Sequence, residues 1–170
     1  MSYHGRRKKV CLGFSLEQKA IRLAILSSKD LESPWPLELR TFPDLDSLEE
    51  YWHDWLNHQY DVDCAGVGLG HYDGKDLGVL GWLWSQDIKA EEQAVSSFIF
   101  YRQTEEFKIP ETFHSAYEHA LCCLIRFHAK DFTVLLCRNL DKLKNSAEEL
   151  SNQLCCLTAA LLRIDTSPPF

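Results

Sequence analysis

Side chains that bind metal ions occur along this chain, but their spacing predicts no metal site. His114 and His119 are five residues apart, whereas two histidines that share a zinc ion on a helix are four apart. Polar pairs with the four-residue spacing are common on solvated helix faces. Asp54 with His58 and Glu118 with Cys122 are pairs of this kind. We therefore predict no metal ion at these histidines and pairs.

The seven cysteines lack the Cys-x-x-Cys spacing of common zinc sites. They stand at positions 11, 64, 122, 123, 137, 155 and 156, mostly inside apolar segments. Free cysteine in such segments behaves as a small apolar residue. We interpret these cysteines as core residues of a protein in a reducing compartment, and predict a cytoplasmic location.

Local motifs support neither a nucleophilic serine nor a phosphate-binding loop. His71 is the histidine that the fold could bring near Ser15, but no Gly-x-Ser-x-Gly motif surrounds that serine. The glycines at 66, 68 and 70 lack the Gly-x-Gly-x-x-Gly spacing, and no Walker lysine follows them. Small residues in a buried strand let a helix pack closely, and we favour that role for these glycines.

Two tryptophans in an apolar segment are the main candidates for binding a partner. Trp82 and Trp84 are two residues apart, so an extended segment would place them on the same side. Exposed aromatic side chains of this kind often anchor a protein partner. The alternative is that they cover a sheet edge or form a small core of their own.

Composition indicates one soluble globular domain. The chain has 170 residues, 45% of them hydrophobic and 25% charged, which suits a single sizeable core. The net charge of −7 disfavours nucleic acid and anionic membranes as partners, apart from a short basic arm over residues 1–8. No run of about 18 apolar residues or signal-like apolar core is present, so we expect no membrane segment.

Hydrophobic periodicity gives the order of the elements. We predict strands over 9–15, 20–27 and 37–42, a helix from Asp46, a strand over 63–70, a helix over 111–129, a strand over 131–137 and a helix from Ser146. Residues 71–110 form an insertion in which 89–102 is assigned to a helix, with a strand over 97–103 as the alternative. In the helix that begins near Asp46, Glu49 completes a capping box, and Trp52, Trp55 and Leu56 share one face.

This order predicts an α/β fold. The sheet would be mixed and five-stranded, with the first three strands antiparallel, the last two parallel, and helices on both faces. One domain would span residues 9–166, followed by a tail over 167–170.

Two short stretches, together with the element order, are similar to the resolvase-like branch of the ribonuclease H superfamily. Leu12 to Lys19 reads Leu-Gly-Phe-Ser-Leu-Glu-Gln-Lys, where that branch typically has Leu-Gly-Phe or Leu-Gly-Ile followed by Asp-Pro-Gly. Val67 to Lys75 resembles the strand end and glycine-rich turn of the same branch. The resemblance covers the element order over most of the chain, and motifs over about 25 residues.

The resemblance implies nuclease chemistry in which several carboxylates hold one or two divalent metals that activate water. Here Ser15 stands at the position of the first carboxylate, and Leu69 and Gly70 stand at the second. The third acid would lie near the last helix, where three acids are available, Asp141, Glu148 and Glu149. The last two of these fit helix capping and the helix dipole.

The missing acids predict a chain without catalytic activity and without a cofactor. Our first hypothesis is a binding or regulatory module that engages a protein partner on a ribonuclease H-like fold. The second is a Mg²⁺-dependent nuclease with an atypical acid set of Glu17, Asp73 and Asp141. The third is a structural subunit of a cytoplasmic assembly.

Overall fold

The chain folds into a mixed α/β structure built on one mixed β-sheet. The computed structural model describes residues 6–17, 19–30, 33–68, 75–93, 106–128 and 151. The strands are β1 (Lys8–Glu17), β2 (Ala20–Ser27), β3 (Pro36–Phe42), β4 (Tyr60–Gly68) and β5 (Ala90–Gln93). The helices are α1 (Leu45–Tyr51), α2 (Asn57–Gln59), α3 (Lys75–Ser85) and α4 (His114–Phe127). A π-helical turn (Trp52–Leu56) joins α1 to α2, and a 3-10 turn (Glu111–Phe113) precedes α4.

The sheet runs in the order β3-β2-β1-β4-β5 within the described residues. β1, β2 and β3 form the predicted antiparallel meander, in which Gly13 lies opposite Ala24. β4 is parallel to β1 on its other side and places Gly66 opposite Gly13. The central strand therefore has an antiparallel neighbour on one side and a parallel neighbour on the other.

The strand at the edge beyond β4 comes from a segment that was predicted to be helical. Ala90–Gln93 is β5, parallel to β4, so the helix prediction for 89–102 is wrong over these residues. Alanine, glutamate and glutamine favour a helix, and pairing with β4 overrides that propensity. The predicted strand over 131–137 and the helix from Ser146 fall outside the described residues, except for position 151.

The first helix begins two residues earlier than the sequence suggested. Asp44 is the N-cap, and its side chain accepts a hydrogen bond from the backbone N–H of Ser47 at 2.8 Å. Asp46 lies in the first turn of the helix, where a negative charge is favourable. The capping box from Asp46 to Glu49 is therefore wrong, because Asp44 already occupies the cap position.

The π-helical turn changes which side chains of this segment face the core. Its i→i+5 pattern adds a residue to the turn. Trp52 and Leu56 remain buried, whereas Trp55 is 45% exposed. The prediction that Trp55 shares the buried face is therefore wrong.

Helices cover both faces of the sheet. On one face α1, the π-helical turn and α3 pack on large side chains of β1 and β2, among them Leu12, Phe14, Leu23 and Ile25. On the other face α4 packs mainly on smaller ones, Cys11, Ala24 and Cys64, with Leu26 of β2 as a larger neighbour. We call these the large-residue face and the small-residue face. The predicted helix after Pro110 is confirmed over His114–Phe127.

Candidate functional site

The position on β1 where the resemblance places a catalytic acid is buried. Ser15 is 3% exposed and pairs with Arg22 of β2. Because residues of a strand alternate between faces, Ser15 shares the small-residue face with Cys11 and Gly13. Its Oγ has no hydrogen-bond partner among the residues that the structure describes. The position holds a neutral hydroxyl inside the protein, not a group open to solvent.

Helix α4 lies in direct contact with the strands beside Ser15. A Cβ atom built on Gly13 would stand 2.0 Å from the carbonyl oxygen of Ala116 and 2.3 Å from the backbone nitrogen of Ala120. A Cβ atom on Gly68, at the end of β4, would stand 2.3 Å from Nε2 of His119. The packing role expected for the glycine at 68 is therefore observed, since no larger residue fits there.

His119 is a titratable group that lies against the end of β4. Its ring packs over Gly68 and is buried. Burial lowers the pKa of His119 from its ordinary value of 6.5 to about 4, so the ring is neutral at physiological pH. His114 lies apart from it, with its Nε2 2.8 Å from the carbonyl oxygen of Ile109. The two histidines hold separate positions on α4, as their five-residue spacing predicted.

The alternative acid set is mostly outside the described residues. Glu17 is the last residue of β1, two positions beyond Ser15. Asp73 and Asp141 lie in segments that the structure does not describe, as do Gly70 and His71. In the part of the chain that is described, no three His, Cys, Asp or Glu side chains are placed to hold one metal ion.

The buried cysteines of the small-residue face lie close together. Cys11 and Cys64 are register partners on β1 and β4, and their Sγ atoms are 3.4 Å apart. Cys64 Sγ also lies 3.8 Å from the carbonyl oxygen of Cys123. The hydrogen bond with Cys64, together with burial, raises the pKa of Cys11. Cys122 and Cys123 are buried as well, which matches the packing role predicted for them.

The two tryptophans predicted to bind a partner belong to a helix, not to an extended segment. Trp82 is buried in the large-residue core and meets Trp52 edge to face, with ring centroids 5.5 Å apart. Trp84 is half-buried, and its Nε1 donates to the carbonyl oxygen of Ala90 in β5 at 3.3 Å. Helical geometry points the two rings in different directions. Trp82 is thus a core residue, and the pair does not form one exposed anchor.

The Glu38 carboxylate accepts hydrogen bonds from four side chains, an arrangement that the sequence analysis did not predict. Glu38 of β3 accepts hydrogen bonds from its neighbours on β3, α1, the π-helical turn and β4. The donors are Tyr51 Oη at 2.5 Å, Tyr60 Oη at 3.1 Å, Arg40 Nε at 3.2 Å and Trp55 Nε1 at 3.4 Å. Burial acts to raise the pKa of Glu38, but these hydrogen bonds outweigh it and hold the pKa below its ordinary value.

The same group orders the aromatic side chains around it. The Arg40 guanidinium stands over the Tyr51 ring, 5.1 Å from its centroid. Burial and the interaction with Glu38 raise the pKa values of both tyrosines. Trp55 is the exposed member of the group. Sequence reasoning missed the cluster because its members are up to 22 residues apart and Trp55 was assigned to the core.

Arg7, in the predicted basic arm, has two side-chain contacts with the folded domain. Arg7 pairs with Asp61 (Nε to Oδ1, 3.1 Å) and donates from Nη1 to the carbonyl oxygen of Asn57 at 2.6 Å. Lys8 already belongs to β1. Residues 1–5 lie outside the described part of the chain.

Comparisons with known proteins found no match among protein-family models, curated proteins or solved structures. Among the described residues, no helix has the length and apolar character needed to cross a membrane.

Proposed function

We propose that this chain is a non-catalytic binding module with a ribonuclease H-like fold that engages a protein partner in the cytoplasm. One observation carries the proposal: helix α4 covers the end of the central strand where the resemblance requires a metal-binding acid. The residue at that position, Ser15, is neutral and buried.

A nuclease of this class needs charged oxygens that converge on a metal and are open to a phosphodiester backbone. The hydroxyl of Ser15 supplies no negative charge. The contact of α4 with Gly13 leaves no space for a metal and its water ligands between the helix and that residue. The small-residue face therefore works as a packing surface at the point where the enzymes need a cleft.

The sheet supports the proposed fold. A three-stranded antiparallel meander with a parallel strand beside β1 is the arrangement that the resemblance leads us to expect. The net charge of −7 supports a protein partner over a nucleic acid, since phosphate backbones are repelled by an acidic protein.

A nuclease assay tests the absence of catalysis. The full chain is titrated with Mg²⁺ and with Mn²⁺ against branched and single-stranded DNA, beside an Asp141→Asn variant prepared in the same way. We expect no cleavage by either protein above that of the buffer. Metal-dependent cleavage by the wild type that Asp141→Asn abolishes would overturn the proposal.

A capture experiment tests the binding role. The tagged chain is cross-linked in its own cells and recovered beside an unrelated tagged protein of similar size and charge. We expect the same partner to be enriched in every replicate and to be displaced by excess untagged chain. Enrichment no greater than that of the control protein would count against a binding module.

A further inference from the structure

Trp55 is an exposed aromatic residue whose ring is held in place. Its Nε1 donates to Glu38, and the tyrosines that share this carboxylate keep the acceptor fixed. Large aromatic side chains that are already ordered lose little conformational freedom on binding, and they are common among the residues that dominate interface energies. The π-helical turn, a rare element found often at functional sites, is what carries Trp55 outward.

Acidic side chains without a cationic partner flank this tryptophan. Glu50 and Asp54 are four residues apart, so they lie on one helical stripe, next to the stripe of Tyr51 and Trp55. Both acids are exposed, and neither forms an ion pair with another described residue. Other acids in this region are paired, for example Glu49 with His53 and Asp61 with Arg7.

The segment that carries these acids contains no opposing charge of its own. Residues 45–59 include four acids and no lysine or arginine. The surface formed by Glu50, Tyr51, Asp54 and Trp55, which we call the Trp55 surface, therefore combines an aromatic ring with uncompensated negative charge. That combination attracts a cation that can also stack on an aromatic face.

Arg40 shows the same chemistry within the molecule. Its guanidinium donates to the Glu38 carboxylate at 3.2 Å while it lies over the Tyr51 ring. A carboxylate and an aromatic face thus hold an arginine at the border of the Trp55 surface. The Trp55 ring, with Glu50 and Asp54 beside it, offers comparable groups to an arginine from outside.

We propose that the Trp55 surface docks a basic segment of the partner protein, with an arginine or lysine side chain over the Trp55 ring and its charge facing Glu50 and Asp54. This inference rests on the proposed binding function and moves the docking site from Trp82 and Trp84 to Trp55. The acids that attract a basic polypeptide repel the phosphates of a nucleic acid.

A defined peptide tests this assignment without knowledge of the partner. The probe is a 12-residue peptide of alternating arginine and serine, and its counterpart carries glutamate in place of arginine. The full chain is labelled with 5-fluorotryptophan, and Trp55→Phe identifies the Trp55 signal among those of the five tryptophans. We expect the basic peptide alone to shift the Trp55 signal saturably, while the signal of Trp35 stays in place.

Calorimetry with matched variants separates a defined site from general charge attraction. Glu50→Gln combined with Asp54→Asn should raise the Kd of the basic peptide roughly tenfold, as should Trp55→Ala. The control is Glu106→Gln combined with Glu111→Gln, which removes the same charge from two exposed acids outside the Trp55 surface. The control pair and Trp35→Ala should leave the Kd within about twofold.

Several results would overturn the assignment. These are no shift of the Trp55 signal, equal shifts with both peptides, and equal losses of affinity in the test and control pairs. Light scattering on the chain alone could give a further contradicting result, a dimer that Trp55→Ala converts to a monomer. The Trp55 surface would then bind a second copy of the chain. The nuclease and capture assays have separate readouts, so a failed peptide titration beside a captured partner rejects this site and leaves the binding function standing.

Discussion

The two faces of the sheet differ in the size of the strand residues on which the helices pack. On the large-residue face, β1 presents Leu12 and Phe14, and the helices rest on a layer of bulky side chains. On the small-residue face the same strand presents Cys11, Gly13 and Ser15, and α4 meets the strand backbone itself. Because successive residues of β1 point to opposite faces, the helices on the two faces can pack at different distances from the sheet.

This difference determines which substitutions each face tolerates. A layer of side chains can repack around an altered neighbour, at the price of a cavity when atoms are removed. A contact between backbones has no rotamers to adjust, so added atoms must move the helix. We therefore expect the large-residue face to be sensitive to lost volume and the small-residue face to added volume.

Loss of volume on the large-residue face should give the largest effect. Phe14→Ala removes a fully buried ring from the centre of that core. We expect the free energy of unfolding in urea to fall by roughly 4 kcal/mol, from lost burial and the cavity left behind. A fall below about 1 kcal/mol would mean that the layer collapses around the gap, and that the two faces differ less than we infer.

Addition of one methyl group on the small-residue face should give the second-largest loss of stability. Gly13→Ala puts a Cβ atom against the backbone of Ala116 and Ala120, and we expect a loss of roughly 3 kcal/mol in the same urea measurement. Gly78→Ala is the matched control, since a Cβ atom on this helical glycine meets nothing within 4 Å. The control should gain up to about 1 kcal/mol from helix propensity. Equal changes in the free energy of unfolding for Gly13→Ala and Gly78→Ala would contradict the distinction between the faces.

The buried histidine makes the small-residue face sensitive to acid. Above pH 6.5 the His119 ring is neutral in the folded and unfolded chains, so it adds no pH dependence. Below pH 6.5 the unfolded chain binds a proton at His119, whereas the folded chain does not bind it until about pH 4. The free energy of unfolding therefore falls as the pH drops from 6.5 to 4.

The contribution of His119 to this loss is roughly 3 kcal/mol between pH 7 and 4. His119→Gln, compared by urea unfolding at several pH values, should lose clearly less over the same range. The matched control is His53→Gln on an exposed position, which should follow the wild type. Parallel pH curves for the wild type and His119→Gln would contradict the assignment.

The smallest effect is expected at Ser15. Its buried Oγ lacks a partner among the described residues, so removal of the hydroxyl leaves no new unsatisfied group. Ser15→Ala should keep the free energy of unfolding within about 1 kcal/mol of the wild type, with any change toward greater stability. A loss above about 2 kcal/mol would show that the hydroxyl has a structural role that the packing of this face does not reveal.

Sequence patterns predicted the elements whose periodicity was long and regular. The meander and the helix after Pro110 follow directly from alternating and helical apolar positions. The prediction failed in a short segment, because Ala90–Gln93 consists of residues that favour a helix until pairing with β4 makes it a strand. The apolar run Gly78–Trp84 was considered as an extended segment, whereas the segment is helical and buries Trp82 in the core.

The candidate site was less accessible to prediction than the fold. The neutral residue at position 15 was visible in the sequence, but the close packing of the predicted helix on β1 was not. The exposure of Trp55 depends on a π-helical turn, which the apolar spacing did not indicate. The convergence of three aromatic donors on Glu38 depends on which strands and turns become neighbours, and one sequence does not contain that information.

The thiols of the small-residue face also give the chain its own set of folding reporters. Cys11, Cys64, Cys122 and Cys123 are buried, and they belong to both sides of the contact between sheet and α4. An alkylating reagent can reach them only when that contact opens. The rate at which each of these four thiols is modified in the native protein, read by mass spectrometry, would therefore time the separation of α4 from the sheet without any engineered probe.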